Sequence, residues 1–167
     1  MSSRRQSGVT CNVLRYIDYT RSPLAYNIYK ALTNLGSILD NRNPNSEEEI
    51  YDIALGYLQG QLDRTYQIKP TVNRSFRGMP GPDLLIERPS TLLYGAQRVC
   101  VEFKFDRGYL DYDRATGQAL RYVEQYKAPV ILYVYSLVHQ TCTTIAQLPS
   151  LLRSYVYPLI YVSQHTR

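Results

Sequence analysis

Apolar residues recur along this chain with two different periods, and the switches between them mark its elements. Leu24, Ile28, Ala31, Leu32 and Leu35 follow helical spacing behind Ser22 as N-cap and Pro23 at the first helical position, which predicts a helix ending near Gly36. Asp40 to Ser46 reads as a loop by composition. Ser46 starts a second helix, with Glu47, Glu48 and Glu49 in its first turn and Ile50, Ile53, Ala54, Tyr57, Leu58 and Leu62 on its apolar stripe. Thr65 to Asn73 is expected to be a strand, held to an edge or a bulge by Pro70. From Gly78 to Phe105 the period drops to two, giving a strand, a connection and a second strand. A helix is expected from Asp113 to Lys127, with Ala115, Gln118, Ala119, Tyr122, Val123 and Tyr126 on its packed face. Pro129 to Ser136 is an unbroken β-branched and aromatic run that reads as a central buried strand. Leu137 to Arg153 is expected to hold a connection and a helix, and Tyr155 to Val162 a last strand that Pro158 limits to an edge. Residues 1–10 read as a loose basic arm, either disordered or reaching toward a phosphate backbone, and Asn12 to Tyr19 as a short helix or an extended lead-in. Strands alternating with helices in this way place the chain in the α/β class, with a mixed central sheet flanked by helices.

The 167 residues are enough for one domain with a proper core, and 44% hydrophobic with 20% charged residues is ordinary globular composition. Net charge is +5, which suits a polyanionic partner, and eleven of the nineteen Lys and Arg residues lie between Arg64 and Lys127. No long apolar run suggests a membrane span and the first residues lack the apolar core of a signal peptide, so a soluble, cytoplasmic protein without membrane partners is expected. Cys11, Cys100 and Cys142 are far apart and without paired His, which indicates neither a disulfide framework nor a zinc site. His139 and His165 stand isolated, with surface or structural roles. Seventeen Tyr and no Trp is an unusual balance that the sequence does not explain.

Chemistry concentrates in the two-strand stretch. Val99, Val101, Phe103 and Phe105 alternate with Cys100, Glu102 and Lys104, so Glu102 and Lys104 share one face, roughly 7 Å apart. If the strands form an antiparallel hairpin turning about Leu92 and Leu93, Asp83 falls opposite Glu102, with Cβ atoms about 5 Å apart. Two carboxylates so close repel unless a cation or proton lies between them, and a hard divalent ion such as Mg²⁺ is the natural occupant. Lys104 is then placed to hold or activate an attacking water, or to stabilise charge on a phosphate. Gly78 and Gly81, just before Asp83, let the backbone approach a phosphate; a plain turn explains them equally. Glu47 lies near the middle of its helix's apolar stripe, either emerging into water at the helix start or in need of a partner.

Pro82-Asp83, an apolar strand and then Glu102-Phe103-Lys104 resembles the signature of the PD-(D/E)XK nucleases, which include Holliday junction resolvases, restriction endonucleases, RecB-type and viral nucleases. The resemblance covers Ser46 to Ser136, somewhat over half the chain, and implies a restriction-endonuclease-like core, αβββαβ, within a single nuclease domain over 1–167. Residues 1–45 would be an N-terminal arm and helix, 46–136 the catalytic core, and 137–167 a C-terminal helix and edge strand. Asp83, Glu102 and the carbonyl of Phe103 are then expected to hold Mg²⁺ or Mn²⁺, with Glu47 joining directly or through water and Glu49 as its substitute. Gln118-Ala-Leu-Arg-Tyr122 is similar to the Gln-x-x-x-Tyr motif of RecB-like members, which implies that Gln118 arranges the site and Tyr122 contacts nucleic acid. Arg77 lies just before the site, and Arg114 and Arg121, seven apart, follow a phosphate backbone or serve as solvent charges. The implied activity is metal-dependent DNA cleavage by an endonuclease of branched or single-stranded DNA, acting as a homodimer if resolvase-like. Two other classes stay open: a nucleic-acid-binding protein that cuts nothing, and an interaction protein in which Glu102 and Lys104 form a surface pair.

Overall fold

The computed structural model describes residues 8–12, 17–19, 21–71, 75–76, 79–93, 95–138 and 155–165. Arg77, Gly78, His139, Cys142 and the helix expected before Arg153 fall outside them. A six-stranded mixed sheet runs in the order β1 (Val9–Asn12), β8 (Val156–Val162), β7 (Val130–Ser136), β6 (Gln97–Asp106), β5 (Leu84–Arg88) and β2 (Gln67–Pro70). β6, β7 and β8 are parallel to one another, and β1, β5 and β2 each pair antiparallel with their neighbours. β3 (Ser75–Phe76) and β4 (Met79–Pro80) form a small separate ribbon. On one face lie helices α1 (Pro23–Leu32), α2 (Leu35–Arg42) and α3 (Glu47–Gln61), and on the other α4 (Tyr112–Tyr126). Among the described residues no helix is long and apolar enough to cross a membrane.

Both faces of the sheet are covered, so every residue of β7 is buried, as its unbroken apolar run requires. The alternation in β6 divides between two cores: Val99, Val101 and Phe103 pack under α1–α3, and Cys100, a free buried thiol, packs under α4. Glu102 lies on the α4 face, buried rather than facing water.

Four expectations need correction. The first helix stops at Leu32, where the Thr33 hydroxyl donates to the Lys30 carbonyl (2.6 Å), and α2 takes over from Leu35. Gly36 therefore caps nothing; a Cβ there would meet the Tyr161 ring at 2.0 Å, so the glycine lets the ring pack against the helix. Residues 9–12 are not part of a loose arm but form the edge strand β1. Consequently β8 is an inner strand, between β7 and β1. Pro158 is tolerated because the β1 pairing ends at Asn12 opposite Leu159, one residue short of it, and its carbonyl accepts the Tyr29 hydroxyl (2.7 Å). Lastly, Cys11 is disulfide-bonded.

Asp40, expected at the start of a loop, is buried in α2. Its carboxylate accepts hydrogen bonds from the hydroxyls of Tyr135 (2.8 Å), Tyr161 (2.8 Å) and Ser163 (2.6 Å) and from the amide of Gln164 (3.1 Å), tying α2 to the ends of β7 and β8. This network also gives part of the tyrosine excess a physical basis, since a tyrosine fills core volume and closes a polar contact at once. Tyr133 is the contrast, its buried hydroxyl finding no partner among the described residues. Asp40→Ala, which orphans three hydroxyl donors, is expected to lower stability in urea unfolding by about 3 kcal/mol. Tyr135→Phe should lose about 1 kcal/mol, whereas Tyr133→Phe should be neutral or stabilising.

Candidate active site

The site grows from a mismatch in strand length. β5 pairs with β6 from Arg88 opposite Gln97 to Leu84 opposite Val101, while β6 continues to Asp106 alongside β7. One more step of the same register sets Asp83 opposite Glu102, the placement expected from the hairpin. Beyond it, no strand among the described residues pairs with the β5 side of β6. Backbone amides on such an edge need partners, and carboxylates supply them. The Phe103 amide donates to Asp83 Oδ2 (2.8 Å), and the Phe105 amide donates to Glu47 Oε2 (3.3 Å). In return, the Asp83 amide donates to Glu102 Oε2 (3.1 Å).

Lys104 joins the three acids. Its ammonium donates to Glu102 Oε1 (2.8 Å) and to Glu47 Oε1 (3.4 Å). The Glu102 side chain is only 4% exposed and that of Lys104 15%, whereas the Glu47 side chain is 48% exposed and opens the cluster to solvent. Glu47 arrives here because Ile50, Ala54 and Leu58, on the same stripe of α3, are buried against the sheet. Glu49 does not. The Ser46 hydroxyl accepts the Glu49 amide (3.1 Å) while Glu49 Oε2 accepts the Asn45 amide (2.7 Å), a reciprocal cap that the Ser-x-x-Glu spacing could have revealed.

Behind the acids, Gln118 Nε2 donates to the Tyr122 hydroxyl (2.7 Å), which donates to the Gly81 carbonyl (3.0 Å), two residues before Asp83. Gln118 is thus linked through Tyr122 to the turn that precedes Asp83. Tyr122 departs from expectation: it is fully buried, so its ring is closed to nucleic acid and it holds the Gly81 end of the Asp83 turn instead. Arg114 and Arg121 are exposed on α4, Arg121 lying 5.8 Å over the Tyr122 ring. The Gly81 contact was not read from the sequence; the Gln118 and Tyr122 spacing was its only local trace.

No family model matches this chain, and no curated protein or solved structure is similar to it. The site's chemistry therefore rests on its own residues.

Its electrostatics are those of crowded acids. Burial raises the Glu102 carboxyl to about 7, with the Asp83 charge adding to the rise and Lys104 opposing it. Asp83 is also raised, again chiefly by burial, against the pull of the Phe103 amide and Lys104. Burial pulls Lys104 down, but the surrounding carboxylates, Glu102 foremost, outweigh it and raise its pKa. The ammonium therefore stays protonated at neutral pH. Among the described residues no three His, Cys, Asp or Glu side chains are gathered as a metal-ligating group; Lys104 lies between Glu102 and Glu47. The oxygen donors at this edge are of the kind a hard cation takes: the carboxylates of Asp83 and Glu102, each accepting a backbone amide there, and the Phe103 carbonyl, which shares its amide's side of β6.

The elevated Glu102 carboxyl has a consequence for stability without metal. A carboxyl whose folded pKa exceeds its ordinary 4.5 binds its proton more tightly when folded, so its stabilising effect is complete below pH 4.5 and is lost as pH rises through about 7. In chelator, Glu102→Gln should remove a decline on the order of 3 kcal/mol across that window, measured by urea unfolding at several pH values.

Proposed function

We propose that the chain is a divalent-metal-dependent phosphodiesterase that cleaves DNA, a nuclease of the PD-(D/E)XK kind. The observation that carries this reading is the convergence of Glu47 and Asp83, from two other parts of the chain, with Glu102 and Lys104 at the edge of β6. The sequence α3, β2, β5, β6, α4, β7, with the β3–β4 ribbon inserted, agrees with the αβββαβ core that the resemblance implies.

Asp83, Glu102 and the Phe103 carbonyl would hold Mg²⁺ or Mn²⁺, with Glu47 at the solvent side. Such an ion supplies Lewis-acid stabilisation of phosphate charge and eases deprotonation of water. The chain's own groups do the rest. Lys104, protonated and fixed between two carboxylates, donates a hydrogen bond to the attacking water or to a phosphate oxygen as charge builds there. A carboxylate of the cluster accepts the water's proton. A new oxygen–phosphorus bond forms as the bond to the 3′ oxygen breaks, leaving a 5′-phosphate and a 3′-hydroxyl.

One observation favours a second reading, a nucleic-acid-binding protein without catalysis: Lys104 already neutralises part of the cluster by bridging Glu102 and Glu47. Calorimetric titration separates the two. The nuclease reading expects Mn²⁺ to bind the wild type and not Asp83→Ala, and Mg²⁺- or Mn²⁺-dependent cleavage of linear, branched or single-stranded DNA that falls by about 10²-fold or more in Lys104→Ala. A wild type that neither binds Mn²⁺ nor cuts any of these substrates would sink it.

A further inference from the structure

We propose that a groove near the carboxylate cluster, lined by Arg107 and Gly108 with the exposed Tyr109 next in the chain, binds unpaired nucleotides, which makes a single-stranded segment the substrate. This rests on the phosphodiesterase reading and names the strand that the site would cut.

The groove, of about 440 Å³, is lined among others by Asn43, Asn45, Phe105, Arg107, Leu137 and Val138. It lies at the carboxyl ends of the parallel strands β6 and β7, where open α/β sheets bind ligands. It is linked to the cluster through Glu47. Phe105 forms part of its wall and gives its amide to Glu47, and Asn45 stands two residues before Glu47. A strand whose phosphate rests at the cluster would have its next nucleotide here.

The lining suits that occupant. Arg107 is exposed, its guanidinium 4.6 Å over the Phe105 ring, and it forms no ion pair among the described residues. Its neighbour Asp106 makes no ion pair with it among the described residues; that buried carboxylate accepts from the Gly108 amide (2.8 Å) and the Tyr112 hydroxyl (2.7 Å). Those bonds instead hold the turn, in which Gly108 has φ +111°, a conformation that favours glycine. Asn43 and Asn45 add side-chain amides that pair with base edges.

Tyr109, next in the turn, is 78% exposed. An aromatic ring in this position stacks only on a base freed from its own neighbours, as in a single strand, and not on bases already stacked within a duplex.

The test is fluorescence anisotropy in chelator, which prevents cleavage, with a short labelled oligodeoxythymidine and a duplex of equal length. Arg107→Ala and Tyr109→Ala should each weaken single-strand binding about tenfold, with Tyr109→Phe close to wild type and duplex binding little changed. Both residues are exposed, so unchanged melting temperatures should show that the variants fold. Wild-type affinity in both alanine variants, equal losses on duplex, or no binding of the oligonucleotide by wild type would each overturn the proposal. Metal-dependent cleavage of the same oligonucleotide by wild type is read separately. Cleavage with unaltered binding in the variants rejects the groove and keeps the phosphodiesterase, whereas variant-sensitive binding with no cleavage supports the groove and rejects the phosphodiesterase.

Discussion

Two backbone amides on one open strand edge shape this protein's chemistry. Beyond Val101, β6 has no strand partner on its β5 side among the described residues, and the amides of Phe103 and Phe105 are taken by the carboxylates of Asp83 and Glu47. Side chains there do what a strand would otherwise do. The consequence is that three acids from separate elements are drawn to one place by the need to satisfy backbone donors, and Lys104 must sit among them to offset their repulsion.

The rest of the fold makes that edge rigid. α4 buries Glu102 and sends Tyr122 to the Gly81 carbonyl, fixing the turn that precedes Asp83. α3 is pinned by its buried stripe and by the Ser46 and Glu49 cap, which orients Glu47 toward the sheet. At the far side, Asp40 gathers hydroxyls from β7, β8 and the residue after β8, so the central parallel strands are anchored where the groove opens beside their ends. Burial raises the proton affinities of Asp83 and Glu102.

Much of this was legible in residue order. The alternation through Val99 to Phe105, the hairpin centred on Leu92 and Leu93, the cap at Ser46, the helix from near Asp113 and the central strand at Val130 all follow from local periodicity and turn chemistry. Glu47 could be singled out because a carboxylate on an apolar stripe needs a partner. The misreadings share a cause. Gly36, Pro158 and Asp40 were judged by what such residues do locally, and each is explained by a distant neighbour: the Tyr161 ring, the end of β1, and the hydroxyls of two strands.

By itself, then, the sequence determined the α/β class, most element positions and the pairing register that opposes Asp83 to Glu102, because periods of two and 3.6 and the length of a hairpin are local properties of the chain. Only the tertiary structure decided that β1 covers β8, that Tyr122 is buried and braces Gly81, that Glu47 rather than Glu49 meets Lys104, and that a groove opens beside them. Those outcomes depend on which strand ends before its neighbour and which polar groups are thereby left to be satisfied, and no residue carries that information without its partners in space.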